Sequence, residues 1–174
     1  MLSIAANKVC RVIVLSTALL SGIACAEGPR GPIAPVAAMY RHFAWEALSS
    51  DTEAFGNGLA AQSARALSQY FEPWLAKMIA DDAACQRRTQ AFCKLDFDIL
   101  FDSQDPQVVD LSIAAGPSNT VDVRFKDPVT ADETRITYTV SRQASGWRIS
   151  NATYVKGSRR SLRSIFEGAS TPQV

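Results

Sequence analysis

The sequence predicts an α+β domain, with N-terminal helices packed on one face of a four-stranded antiparallel sheet. Three observations predict it. Apolar residues recur at helical spacing up to about residue 88, they alternate with polar residues after Pro106, and a short segment with two cysteines and several aspartates separates the two regimes.

The chain opens on an export signature. Lys8 and Arg11 are followed by an apolar run over residues 12–23, interrupted only by Ser16, Thr17, Ser21 and Gly22. Ala24-Cys25-Ala26 then puts small residues where a signal peptidase cuts, before Glu27. Residues 1–26 are expected to be a cleavable signal peptide and the protein periplasmic. The run is short for a membrane span and no second one follows. Two other readings stay open: a lipid anchor at Cys25, against which Gly22 counts where a leucine is usual, and an apolar helix retained in the fold. Residues 27–35, rich in Gly and Pro, are expected to form a flexible leader. A single domain over 36–168 and a tail over 169–174 complete the organisation.

Removing 26 of 174 residues leaves 148, enough for one domain that buries about two-thirds of its surface. The formal charge of +1 includes Lys8 and Arg11, so the remainder stands near −1. Such a balance points to neither nucleic acid nor an anionic membrane as partner.

Cys85 and Cys93 are the only cysteines beyond the export segment, and an oxidising compartment favours pairing them. Their spacing suits neither a redox CxxC nor, without nearby histidines, a zinc site.

Val36, Tyr40, Phe43, Ala47 and Leu48 predict a helix over 35–49, and Asn57-Gly58 a turn after it. Leu67, Tyr70, Phe71, Trp74, Leu75, Met78 and Ile79 continue a helical stripe that Pro73 interrupts. An interior proline loses a hydrogen bond and clashes with the preceding turn, whereas a first-turn proline does neither. The stripe therefore divides into a short helix ending near Tyr70 and a second from Pro73 to about Arg88. Four strands follow, centred on Val109–Ile113, Val121–Phe125, Ile136–Val140 and Trp147–Ile149, with turns at 116–119 and Ser145-Gly146. Residues 161–167 are expected to close the chain as a short helix.

Several stretches are similar to one family. They are Tyr40-Arg41-His42-Phe43, residues 67–73 (LSQYFEP), residues 95–105 (LDFDILFDSQD), Gly146-Trp147-Arg148-Ile149 and residues 157–166. Together they resemble domain-of-unknown-function family 3828, small bacterial envelope proteins with a fold similar to nuclear transport factor 2. The resemblance implies a cystatin-like cone: a curved sheet with a helix-lined pocket. Many members of the family are lipoproteins, from which the weak signal around Cys25 departs. No catalytic residues come with it.

His42 is the only histidine, so base catalysis through imidazole would have to use it, with Glu46 four residues on as its helical neighbour. The bland alternative is a surface ion pair, and no nucleophile motif or glycine-rich phosphate loop accompanies it. Asp96, Asp98, Asp102, Gln104 and Asp105 gather oxygen-bearing side chains within ten residues. Their spacing is not an EF-hand's and the required glycine is missing. Interleaved Leu95, Phe97, Ile99, Leu100 and Phe101 suggest instead a turn docked on the core with aspartates capping it. The candidate binding residues are thus His42, Asp98, Asp102, Gln104 and Asp105, and neither metal nor cofactor is expected. Lys156, Arg159, Arg160 and Arg163 read as solvated surface.

Two function classes follow. One is a non-enzymatic periplasmic binding or interaction protein with a protein partner, an immunity protein against an antibacterial effector being a specific version. The other is an enzyme or small-ligand binder using the pocket, with His42 or an aspartate as base. A His42 buried against Asp98 or Asp102 would favour the second.

Overall fold

A computed structural model describes residues 31–48, 55–155 and 160–168. The expected export signal, residues 27–30, the C-terminal tail, Lys156 and Arg159 lie outside them. Gly31–Ile33 makes a 3-10 turn and α1 (Ala34–Phe43) starts directly on it, with Pro35 in the first turn where its missing N–H costs nothing. Pro35 is already buried, so ordered structure begins inside the stretch expected as leader. Val36, Met39 and Tyr40 carry the helix onto the core. The helix expected to reach residue 49 stops at Phe43, whose φ of −125° breaks it, and Ala44–Ala47 winds on as a 3-10 turn. Tertiary demand overrides the helical spacing here: the tighter turn delivers Glu46 to the backbone N–H of Leu59, 2.9 Å away.

The Ser63 hydroxyl caps α2 (Ala64–Leu67), accepting from the N–H of Ala66 at 3.2 Å. The chain then extends through Tyr70–Glu72 and bonds to the sheet. Ile149 N–H donates to the Tyr70 carbonyl at 2.7 Å and Glu72 N–H to the Ile149 carbonyl at 2.9 Å. Pro73 opens α3 (Pro73–Thr89), which ends on Gln90 in the left-handed region at φ 55°. Cys85 and Cys93 form a disulfide, with Cα atoms 6.3 Å apart, across this helix end. Buried Asp82 reinforces it by accepting from Lys94 N–H at 2.7 Å and from the Gln86 amide at 2.7 Å. Among the described residues no helix is long and apolar enough to cross a membrane.

Among the described residues the sheet has five antiparallel strands in sequence order: β1 (Val109–Ala115), β2 (Thr120–Lys126), β3 (Glu133–Gln143), β4 (Gly146–Tyr154) and β5 (Arg160–Ser161). The expected count of four is corrected by β5. Two residues are too few for alternation to show, and Ser161 also caps α4 (Leu162–Glu167) through a reciprocal bond with Ser164. Val121, Val123 and Phe125 on β2 meet Ile136, Tyr138 and Val140 on β3 at one buried face. On β4 the face passes from Ile149 to Ala152 and Tyr154, because a bulge at Ser150 shifts the period by one. Strand β1 is an edge, and its Val109 and Leu111 are exposed.

Three buried tyrosines join helix, sheet and the aspartate-rich turn. Tyr40 Oη donates to the Leu100 carbonyl at 2.5 Å, Tyr154 Oη donates to the Ile99 carbonyl at 3.0 Å, and the Tyr40 and Tyr138 hydroxyls lie 3.0 Å apart. Burial drives all three phenols above their ordinary pKa, so they act as hydrogen-bonding hydroxyls. Tyr154→Phe would leave the buried Ile99 carbonyl without this donor. It is expected to lower unfolding free energy by about 1–3 kcal/mol in urea denaturation, with the fold retained.

Candidate functional site

The site is built on the turn at 98–103. Asp98 N–H donates to the Ser103 carbonyl at 2.7 Å, and the Asp98 side chain accepts from the N–H groups of Leu100 at 2.7 Å and Phe101 at 3.2 Å. Asp98 therefore caps the turn, using a short side chain that can fold back on its own backbone. The carboxyl also shares a hydrogen bond with Glu46. Glu46 in turn is held by Leu59 N–H and pressed against Gly58, where a Cβ would sit 2.5 Å from its Oε2. Gly58 has an ordinary φ of −61°, so the position requires absence of a side chain and no special backbone.

Two part-buried carboxyls in contact cannot both ionise cheaply. Burial and the neighbouring Asp98 charge lift Glu46 from its usual 4.5 to about 8, against the Leu59 hydrogen bond. Burial raises Asp98 as well, but donors at Leu100, Glu46 and Phe101 favour its charged form. The shared proton accordingly resides on Glu46.

Two clefts meet at Asp98. The larger, about 690 Å³, is lined by Trp45, Glu46, Asp98, Gln104, Asp105 and Gln107, among others. The smaller, about 410 Å³, runs along α3 with Ile79, Ala83, Leu95 and Phe97 on its walls. Asp98 and Gln104 line both. Gln104 is fixed by donating its amide to the Asp96 carbonyl at 2.9 Å.

Of the five expected binding residues, Asp98, Gln104 and Asp105 come together and two do not. Asp102 sits in the left-handed region at φ 51°, its side chain 2% exposed, and accepts from Arg160 at 2.8 Å. The Arg160 guanidinium also lies over the Phe97 ring at 3.9 Å, so this pair is structural glue. Arg160 and Arg163, read as solvated, are thus engaged; Arg163 covers the Trp74 ring at 4.6 Å and approaches Glu72 at 3.7 Å. His42 is exposed, hydrogen-bonds the Tyr70 hydroxyl through Nδ1 at 2.5 Å, and lines neither cleft. Its expected neighbour Glu46 turns instead to Asp98, because the helix has already tightened when it arrives. Glu46 is the site residue that helical spacing assigned to the wrong partner, and no local pattern in the sequence pointed to Asp98. No group of three or more His, Cys, Asp or Glu side chains suited to a metal occurs among the described residues.

Comparisons with protein-family models, with curated proteins and with solved structures find no match to this chain.

Two outcomes follow from the carboxyl pair. A folded-state pKa above the unfolded one gives stability that is full below about pH 4.5 and lost as pH rises through about 8. Glu46→Gln keeps an amide donor for Asp98 without that titration. Its stability relative to the parent should rise by a few kcal/mol between pH 4.5 and 8.5, read by urea denaturation at each pH. Gly58→Ala should expel Glu46 from its niche and return its carboxyl toward the ordinary value, as followed by carbon NMR of the Glu side chains.

Proposed function

We propose that the protein is an exported, non-enzymatic binding protein that takes a basic group of a protein partner in the larger cleft. One observation carries this: Glu46, Asp98 and Asp105 converge there, and none of the described lining residues is a lysine or arginine. An ammonium or guanidinium entering the cleft gains charge-assisted hydrogen bonds and offsets the repulsion that keeps Glu46 protonated. Entry therefore releases the proton, and affinity rises with pH up to about 8.

Export is supported by Lys8, Arg11, the apolar run over 12–23 and Ala24-Cys25-Ala26, and a periplasmic location fits the Cys85–Cys93 disulfide. The resemblance to family 3828 and its cystatin-like cone belongs to this reading; helices against an antiparallel sheet, with clefts beside them, support it. Its most specific form is an immunity protein that neutralises an antibacterial effector, for which small size and a disulfide are suitable.

A second reading, an enzyme using the cleft for proton transfer, is favoured by the proton that Glu46 shares with Asp98. The base would then be this pair, since His42 stands outside both clefts. Carboxyls in direct hydrogen-bond contact are too close for glycosidase chemistry, which needs about 5–9.5 Å between them.

The test is affinity capture from a periplasmic extract, with the chain from Glu27 onward as bait and the double variant Glu46→Gln/Asp105→Asn as control. A partner held by the parent, more strongly at pH 8 than at pH 6, should be lost by the variant. Capture that the double variant leaves undiminished would take the cleft out of the interface.

A further inference from the structure

The smaller cleft opens from the same two residues as the larger one, Asp98 and Gln104, yet its character is different. Ile79, Ala83, Leu95 and Phe97 give it apolar walls. Phe92 stands beside it with 69% of its surface exposed, so its ring is accessible to a ligand at the cleft. The two acids on its wall besides Asp98 differ in how far they are engaged, Asp82 being buried and Asp96 keeping 58% of its side chain exposed. Asp82 accepts from Lys94 N–H and the Gln86 amide, and Asp96 stands 4.0 Å from Arg160. Arg87 contributes a positive charge on the α3 side, which turns a ligand's basic group toward Asp98. A charge at one end and an apolar trough continuous with it describe a two-part recognition surface.

Resting on the reading just given, we infer that the partner's determinant is a lysine or arginine side chain adjoining an aromatic or aliphatic one. The basic group enters beside Glu46, Asp98 and Asp105, and the apolar group lies in the trough between α3 and Phe92–Phe97. Charge complementarity orients the pair, and burial of the apolar member supplies most of the selectivity. A basic residue flanked by polar neighbours would engage only the larger cleft.

The probes are four blocked dipeptides: N-acetyl-lysyl-phenylalanine amide, its reversed sequence, N-acetyl-lysyl-glycine amide and N-acetyl-glycyl-phenylalanine amide. Each is titrated into the protein while the Leu59 N–H and Gln104 amide signals are followed by NMR. At least one lysine–phenylalanine order should bind about tenfold tighter than either single-group probe. Ala83→Leu, which fills the trough from α3, should abolish that advantage and leave the lysyl-glycine affinity unchanged. Phe92→Ser, a change at an exposed site, should reduce the advantage even if the Ala83 variant folds poorly. Equal affinity for lysyl-glycine and both lysine–phenylalanine probes would overturn the two-part determinant while sparing the acidic cleft. Failure of every lysine probe to bind would overturn both.

Discussion

Burying the turn at 98–103 places its backbone carbonyls where water cannot reach, and the architecture is organised around supplying them with donors. Tyr40 comes from α1 to Leu100, Tyr154 from β4 to Ile99, and Tyr138 from β3 joins the first hydroxyl. Elements at opposite ends of the sequence are thereby made to agree on the position of six residues. Leu100 and Phe101 pack below, with Phe101 set edge-on to both Tyr40 and Phe125. Asp98 and Asp102 then project in fixed directions, the first toward Glu46 and the second toward Arg160. Under the binding function proposed above, this rigidity would leave little side-chain entropy to be lost when a partner docks.

What distinguishes the site electrostatically is the choice of partner. Asp122, on the polar side of β2, also feels burial pushing its carboxyl upward, but Arg135 at 2.6 Å and Thr137 at 2.8 Å prevail and hold it below the usual range. Asp98 meets a second carboxyl instead of a cation. The same residue type therefore serves as a settled structural charge in one place and as half of an unsettled pair in another. Positive charge is available nearby in Arg160, but Asp102 and the Phe97 ring already hold it.

Much of the fold was legible because its elements obey simple periods. Pro73 divided the helical stripe correctly, since its ring could not be accommodated inside a helix, and alternation from Val121 to Val140 placed β2 and β3 with their buried faces. The failures occur where a long-range contact overrules local pattern. Glu46 followed helical spacing from His42, but Leu59 and Asp98 claimed it. Strand β5 is defined by its pairing with Thr153 and Tyr154, which no local pattern in two residues could announce. The aspartate-rich segment was recognisable as important, and its turn-capping chemistry could be read from short acids among apolar residues. Which aspartate faced a cleft could not, because that depends on a left-handed backbone at Asp102 and on hydroxyls up to 60 residues away in sequence.

The tyrosine cluster also ties together parts of the chain that are far apart in sequence. The hydroxyl of Tyr40 finds its partners 60 and 98 residues further along, so α1 is fastened by groups that lie far from it in the chain. Closing such long loops costs entropy, which the native contacts at both ends must offset. In the folded protein Val36, Met39 and Tyr40 are hidden together, so the same helix face that packs the core also carries the hydroxyl that reaches across it. Contact order is thereby concentrated in a few hydroxyls, and removing one of them loosens elements that are not neighbours in sequence.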